Sequence, residues 1–349
     1  MSPALTRVGA HWRLVAMFAV GALVLASCGT AKVAIPRLSG APALSISVPL
    51  SNVGCTLNDV CVAVGTSSAS VGPTSVGEVA TPSGRWLNLT LPASTSPLIT
   101  SLACMGTQCL LGGSQPGHDL LWRFSASGDT LAVVTPPPGG IGIDALSCNG
   151  LICALVDTSA LDATPRFSFS ADGGLTWTNP LDMTWASSDA ITSISCGIVF
   201  DCVVGALSVH HQFSLYVTRD GGTTWTKRVT PSPWTALTSL SCTRLRCVAL
   251  ASTNTSATSK LVRSNNLGKS WTSVSLNERA SALACTPTTT CVIVGQHSNQ
   301  TPWLATVNQG ATVNVTLRYV PTPLLNVACG SKVCAAIGVT TLLSVPVPK

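Results

Sequence analysis

Fourteen of the fifteen cysteines fall into seven close pairs: Cys55/Cys61, Cys104/Cys109, Cys148/Cys153, Cys196/Cys202, Cys242/Cys247, Cys285/Cys291 and Cys329/Cys334. Four or five residues separate the partners, and the first members lie 49, 44, 48, 46, 43 and 44 residues apart. A unit that recurs at a near-constant interval folds into the same supersecondary piece each time. Such a piece buries its apolar face only against its neighbours.

Each pair sits in one local pattern. Apolar and polar residues alternate into the first cysteine, as in Ile191 to Cys196, Leu237 to Cys242 and Ile99 to Cys104. A compact apolar run leaves the second, as in Cys247 to Leu250. Period-two alternation followed by a buried run reads as two strands joined by a short hairpin, with the cysteines flanking the turn. The recurring C-x4-C spacing also suits zinc, but seven evenly spaced pairs without histidine partners argue against it. In an exported chain the pairs are expected to be seven disulfides, each within its own hairpin. The interval near 46 residues matches a four-stranded propeller blade.

A second motif follows every cysteine pair except the last. The clear copies are Ser170 to Trp177, Thr218 to Trp225 and Ser264 to Trp271; Thr81 to Trp86, Ser125 to Leu131 and Thr306 to Val313 are degenerate. Asp or Asn accepts amide hydrogen bonds across a turn, Gly supplies the positive φ, and Trp packs over it. These residues resemble the Asp-box, or BNR, repeat of sialidase, sortilin-type and photosystem II assembly-factor propellers. In that family the box is a structural turn far from any active site. The resemblance therefore implies turn roles, not catalytic ones, for Ser170, Asp172, Gly174, Trp177, Asp220, Gly222, Trp225, Asn266, Gly268 and Trp271.

The expected fold is all-β: a seven-bladed β-propeller with four-stranded antiparallel blades. The cysteine hairpin supplies the first two strands of each blade, and the segments flanking the turn motif supply the third and fourth. Blade four reads Ile191–Cys196, Cys202–Leu207, Phe213–Thr218 and Trp225–Thr230. The last repeat offers only Leu325–Cys329, Cys334–Val339 and Thr340–Val347, so Leu44–Val48 is expected to add its missing strand and close the ring. Closure removes the unpaired edges that invite aggregation.

The N-terminus reads as a targeting signal. Arg7, His11 and Arg13 precede an apolar run from Leu14 to Ala26, which is shorter than the roughly 20 residues that span a bilayer. Leu25-Ala26-Ser27-Cys28 resembles the lipobox of bacterial lipoproteins, which implies cleavage before Cys28 and a diacylglycerol on its sulfur. The expected organisation is a signal peptide over 1–27, a tether over 28–41 and the propeller over 42–349. The mature protein would then be held at the outer face of the cytoplasmic membrane.

This phasing gathers the cysteine hairpins, with all seven disulfides, and the turn motifs at one end of the ring. The loops of the other end carry His118, Trp185, His210, His211, Trp234, Arg279 and His297, the candidate binding face. The family's glycosidase chemistry needs a Tyr–Glu pair, an acidic Asp and three Arg. Only Tyr216, Tyr319, Glu78 and Glu278 supply the first pair, the tyrosines sit beside a turn motif and after a fourth strand, and no Phe-Arg-Ile-Pro occurs. No catalytic residue, cofactor or metal site is assigned, and His210-His211 reads as solvated. The net charge of +6, falling to +4 without Arg7 and Arg13, contains no basic run and excludes nucleic acid as a partner. The function expected is a binding or assembly scaffold for a protein or glycan. The alternatives are a glycan-binding or glycoside-hydrolysing propeller and a purely structural surface protein.

Overall fold

The computed structural model describes residues 44–45, 49–69, 72–80, 86–89, 98–126, 130–186, 189–197, 200–210, 212–230, 234–253, 256–276, 278–287, 290–297, 299–308, 316–319, 323–338 and 341–347. Cys28, the signal segment and the tether lie outside them. No described helix is long and apolar enough to cross a membrane.

Six sheets are each built from four consecutive antiparallel strands. Blade 2, for example, contains Leu98–Met105, Gln108–Gln115, His118–Ser125 and Thr130–Val134. Blade 3 contains Gly140–Asn149, Ile152–Ser159, Pro165–Ser170 and Leu181–Asp182. Blade 1 starts at Leu50–Cys55, blade 4 at Ala190–Cys196, blade 5 at Trp234–Thr243 and blade 6 at Arg279–Cys285. A further sheet joins Asn326–Cys329, Val333–Ile337 and Thr341–Pro346 to Leu44–Ser45, which pairs in the register Leu44↔Leu342 and Ser45↔Thr341. Of the expected strand Leu44–Val48, residues 46–48 are outside the described set.

The residue pattern explains the layering. Second strands such as Cys202–Leu207 and third strands such as Phe213–Thr218 are buried along almost their whole length. Strands covered on both faces read as continuous apolar runs rather than alternating ones. First strands alternate instead, as in Leu98–Met105. They line the axis, and successive first strands pack against one another. Among the described residues, seven apolar clusters hold the sheets together; one joins Leu50, Val53 and Cys61 of blade 1 to Ala335, Ile337 and Leu342 of the last sheet. Asp59 reinforces that junction, its Oδ1 accepting the amides of Lys332 at 2.8 Å and Val333 at 3.1 Å.

The repeated Ser-Cys dipeptide has a structural use that the spacing alone did not reveal. The Cys196 amide donates to Ser147 Oγ at 2.9 Å, and the Cys242 amide donates to Ser195 Oγ at 2.8 Å. Each serine thus satisfies a backbone donor in the next blade. The fourth strand of blade 4 is shorter than expected: Thr226–Arg228 replaces Trp225–Thr230. Trp225 stays in the turn because its ring packs edge-on against Phe167 of the preceding blade, 5.2 Å between centroids.

Candidate functional site

All seven cysteine pairs are disulfides, and in each the partners face one another across the hairpin with Cα atoms 3.9–4.1 Å apart. The first cysteine of each pair lies on the axial strand. Cys55, Cys104, Cys148, Cys196, Cys242, Cys285 and Cys329 together line one cavity of about 350 Å³. Its other walls are Leu57, Met105, Pro287, Thr243, Asn149, Ser147, Ser195, Ser241, Gly106 and Gly150, so every described lining residue is uncharged. A second cavity of about 210 Å³ shares five of these walls and runs along Val53, Leu102, Leu240, Leu283 and Val327.

The second cysteines do not reach that mouth. Cys61 is 1% exposed and packs in the apolar cluster between blade 1 and the last sheet. Cys109, Cys153, Cys202, Cys247, Cys291 and Cys334 are buried in the same way. The disulfides therefore lie together at the hairpin end of the sheets, each first cysteine facing the cavity and each second cysteine facing the core. Each second cysteine belongs to a second strand, which neighbouring blades cover on both faces, so the bond runs inward from the axial wall to the core. The pairing of Cys61 with Cys55 is as expected.

Leu57, in the wall of this cavity, is 47% exposed, and the hairpin residues Leu151 and Leu245 are also open; Phe200 is half-exposed, its ring tilted on Phe169 with 4.8 Å between centroids. Leu151 and Leu245 are held from behind. The Gly173 amide donates to the Leu151 carbonyl at 2.8 Å, and the Leu267 amide donates to the Leu245 carbonyl at 2.9 Å. Each of these turn motifs therefore braces the cysteine hairpin of its own blade.

The motif turns have the expected chemistry. Asp172 Oδ1 accepts the Thr176 amide at 2.9 Å and the Ser170 hydroxyl at 2.8 Å, while the Gly174 amide donates to Ser170 Oγ at 2.8 Å. Asp220 and Thr218 repeat this around Gly222, and Asn266 and Ser264 around Gly268. Gly174, Gly222 and Gly268 hold φ of 82°, 94° and 75°, a region where a Cβ is strained. The Thr176 hydroxyl and amide stabilise the Asp172 carboxylate and hold its pKa down to about 2. Asp220 is lowered for the same reason, through Thr224.

The candidate face at the opposite end does not assemble as a patch. Trp234 is 8% exposed and packs on the turn tryptophan Trp271, 5.6 Å between centroids. Trp185 stacks on Tyr216 at 3.6 Å and leans on Trp225. Trp185 sits in the short helical turn Thr184–Ala186 and Trp234 opens the first strand of blade 5, and each packs into an apolar cluster shared by two blades. They are packing residues, and the reading of them as displayed ligands is corrected. His297 Nδ1 lies 2.7 Å from Glu278 Oε1. His118, His210 and Arg279 are exposed in separate blades, and no described contact joins them. His211 is outside the described residues.

No protein-family model matches the sequence, and no curated protein resembles it at a significant level. Solved structures do. YCF48 bound to D1 peptide superposes with a TM-score of 0.61 at 14% identity, over 92% of this chain and 99% of that one. The GH74 xyloglucanase from Xanthomonas campestris superposes with a TM-score of 0.58 at 14% identity, over 87% of this chain and 53% of the enzyme. The chain is a β-propeller. At such identities the likeness concerns the propeller fold alone.

Proposed function

We propose that the protein is an exported, lipid-anchored propeller that holds a polypeptide partner at its disulfide-lined mouth, as a binding or assembly scaffold rather than an enzyme. One observation carries the reading: an uncharged axial cavity lined by the first cysteines of all seven pairs, with Leu57, Met105 and Pro287 among its walls. Exposed apolar groups around a concavity are the usual mark of a protein-binding surface. A propeller of like fold with a bound peptide supports the same class of partner. Hydrolysis of a glycan would call for paired carboxylates at the mouth, and the described lining supplies none.

Further readings belong to this proposal. The motif turns are Asp-boxes of the BNR type. The last sheet is the seventh blade, with Leu44–Val48 as its outer strand, so both chain ends meet there. The signal peptide covers 1–27, and Cys28 carries the lipid. Seven disulfides support an oxidising, extracytoplasmic location. Selection from a displayed peptide library tests the binding reading. Apolar-centred peptides should be enriched, Leu57→Asp should abolish their binding, and His118→Ala should not. Binding confined to a glycan array would overturn it.

A further inference from the structure

Away from that mouth, the junction of blades 2 and 3 buries two carboxyl groups beside one guanidinium. Asp157 is fully buried on the second strand of blade 3 and makes a bidentate pair with Arg166, whose Nε and Nη2 donate at 2.8 Å each. Asp119, on the third strand of blade 2, is 5% exposed, and neither of its oxygens accepts a well-formed hydrogen bond. It lies close enough to Asp157 for the two carboxyl charges to act on each other. One positive charge therefore serves two buried carboxyls, and a single proton shared between them is the arrangement that low dielectric favours.

The same groups hold a stretch of backbone. Arg166 Nη1 donates to the Pro138 carbonyl at 3.0 Å. Gly140 lies so close to the Asp119 carboxyl that a Cβ there would fall 1.9 Å from Oδ2. The Pro-Pro-Pro-Gly-Gly connection between blades 2 and 3 thus rests on this cluster. We propose that Asp119, Asp157 and Arg166 form a proton-operated clamp that seats the Pro136–Gly140 connection and loosens it when the second carboxyl ionises.

The surroundings permit such a response. The neighbouring strands Gln108–Gln115 and Thr130–Val134 carry no charged residue, and Gly140–Asn149 carries only Asp144, which adds a further negative charge near Asp157. Asp119's own strand carries His118 and Arg123. Burial first, then the Asp157 charge and hydrogen bond, raise the Asp119 pKa to about 7, against smaller opposing effects of Arg166 and the Gly142 amide. A carboxyl raised in the folded state stabilises fully below its unfolded value and loses that contribution as pH rises through the folded one. The window is therefore from about 4 to about 7.

Comparison of the wild-type protein with Asp119→Asn tests the clamp, because the amide keeps the shape and a donor but cannot ionise. Unfolding equilibria across pH 4–9 and hydrogen exchange of the Gly139, Gly140 and Gly142 amides, corrected for intrinsic rates, give two independent readouts. The folding constant of the wild type relative to the variant should fall by roughly tenfold or more between pH 4 and 7 and then level off. Exchange at the connection should rise above pH 7 in the wild type alone. Parallel pH profiles for the two proteins, or a connection whose exchange is the same in both at every pH, would overturn the proposal. The partner-binding reading stands or falls separately, since these residues do not line the disulfide mouth.

Discussion

The Cys242 amide donates a 2.8 Å hydrogen bond to the hydroxyl of Ser195, one residue before the equivalent cysteine of the preceding blade. Disulfide, hairpin and inter-blade contact thus converge on one dipeptide. Cys242 is buried, so Ser195→Ala leaves its amide without an acceptor. An unsatisfied buried donor costs about 1–3 kcal/mol. Urea denaturation should show a loss of that size, with Ser147→Ala behaving alike through Cys196. A loss indistinguishable from zero in both variants would remove the inter-blade role.

Trp234 and His118 separate packing from display. Trp234→Ala removes a ring buried against Trp271 and the blade 4 residues Phe213 and Leu215. Large-to-small changes of this kind cost about 3–5 kcal/mol. His118→Ala, at an exposed strand end, should stay within about 0.5 kcal/mol of the wild type. Thermal unfolding of the two variants checks the contrast.

These residues also show where sequence reasoning stopped. The blades were legible because the information is local: cysteines flanking a hairpin, alternation on the axial strand, and a glycine turn before Trp177, Trp225 and Trp271. The packing of Trp185 and Trp234 was not, because nothing beside either residue shows that its ring fits between two blades. Asp119 and Asp157 meet only once two blades are laid side by side, and nothing in their own neighbourhoods marks them. The disulfide mouth was half legible. The cysteines were expected at one end, but spacing does not tell which sulfur of a pair, Cys55 or Cys61, faces the axis.

The Asp172 turn should respond to acid. Its carboxylate is stabilised by the Thr176 hydroxyl and amide and titrates near pH 2. A lowered carboxyl pKa contributes stability above the unfolded value of 3.8 that is lost as pH falls through the folded one. An NMR titration should therefore place the Asp172 midpoint near 2. A midpoint at the ordinary aspartate value would mean that the turn is not held by this carboxylate.

The disulfides should resist reduction in the folded protein. Attack on an axial sulfur expels the partner as a thiolate. Cys109, Cys153, Cys202, Cys291 and Cys334 are completely buried, and Cys61 and Cys247 nearly so. Burial raises a thiol's pKa and makes it a poor leaving group. Alkylation and mass spectrometry should find all seven bonds intact in a dithiol without denaturant and lost once urea is added. Rapid reduction of the native protein would show that the ring is open to exchange.

Replacement of Cys28 tests the anchor. Cys28→Ala should leave the precursor unprocessed or release the protein from the membrane fraction. Unchanged processing and membrane retention would exclude lipidation at this cysteine.

Hydrogen-exchange mapping of a bound library-selected peptide tests the central claim most directly. Protection is predicted at the cysteine-hairpin tips, over residues 56–60, 105–107, 149–151 and 243–245, with no change over 116–118 or 208–210. Protection confined to the opposite end, around His118 and His210, would contradict a binding site at the disulfide mouth.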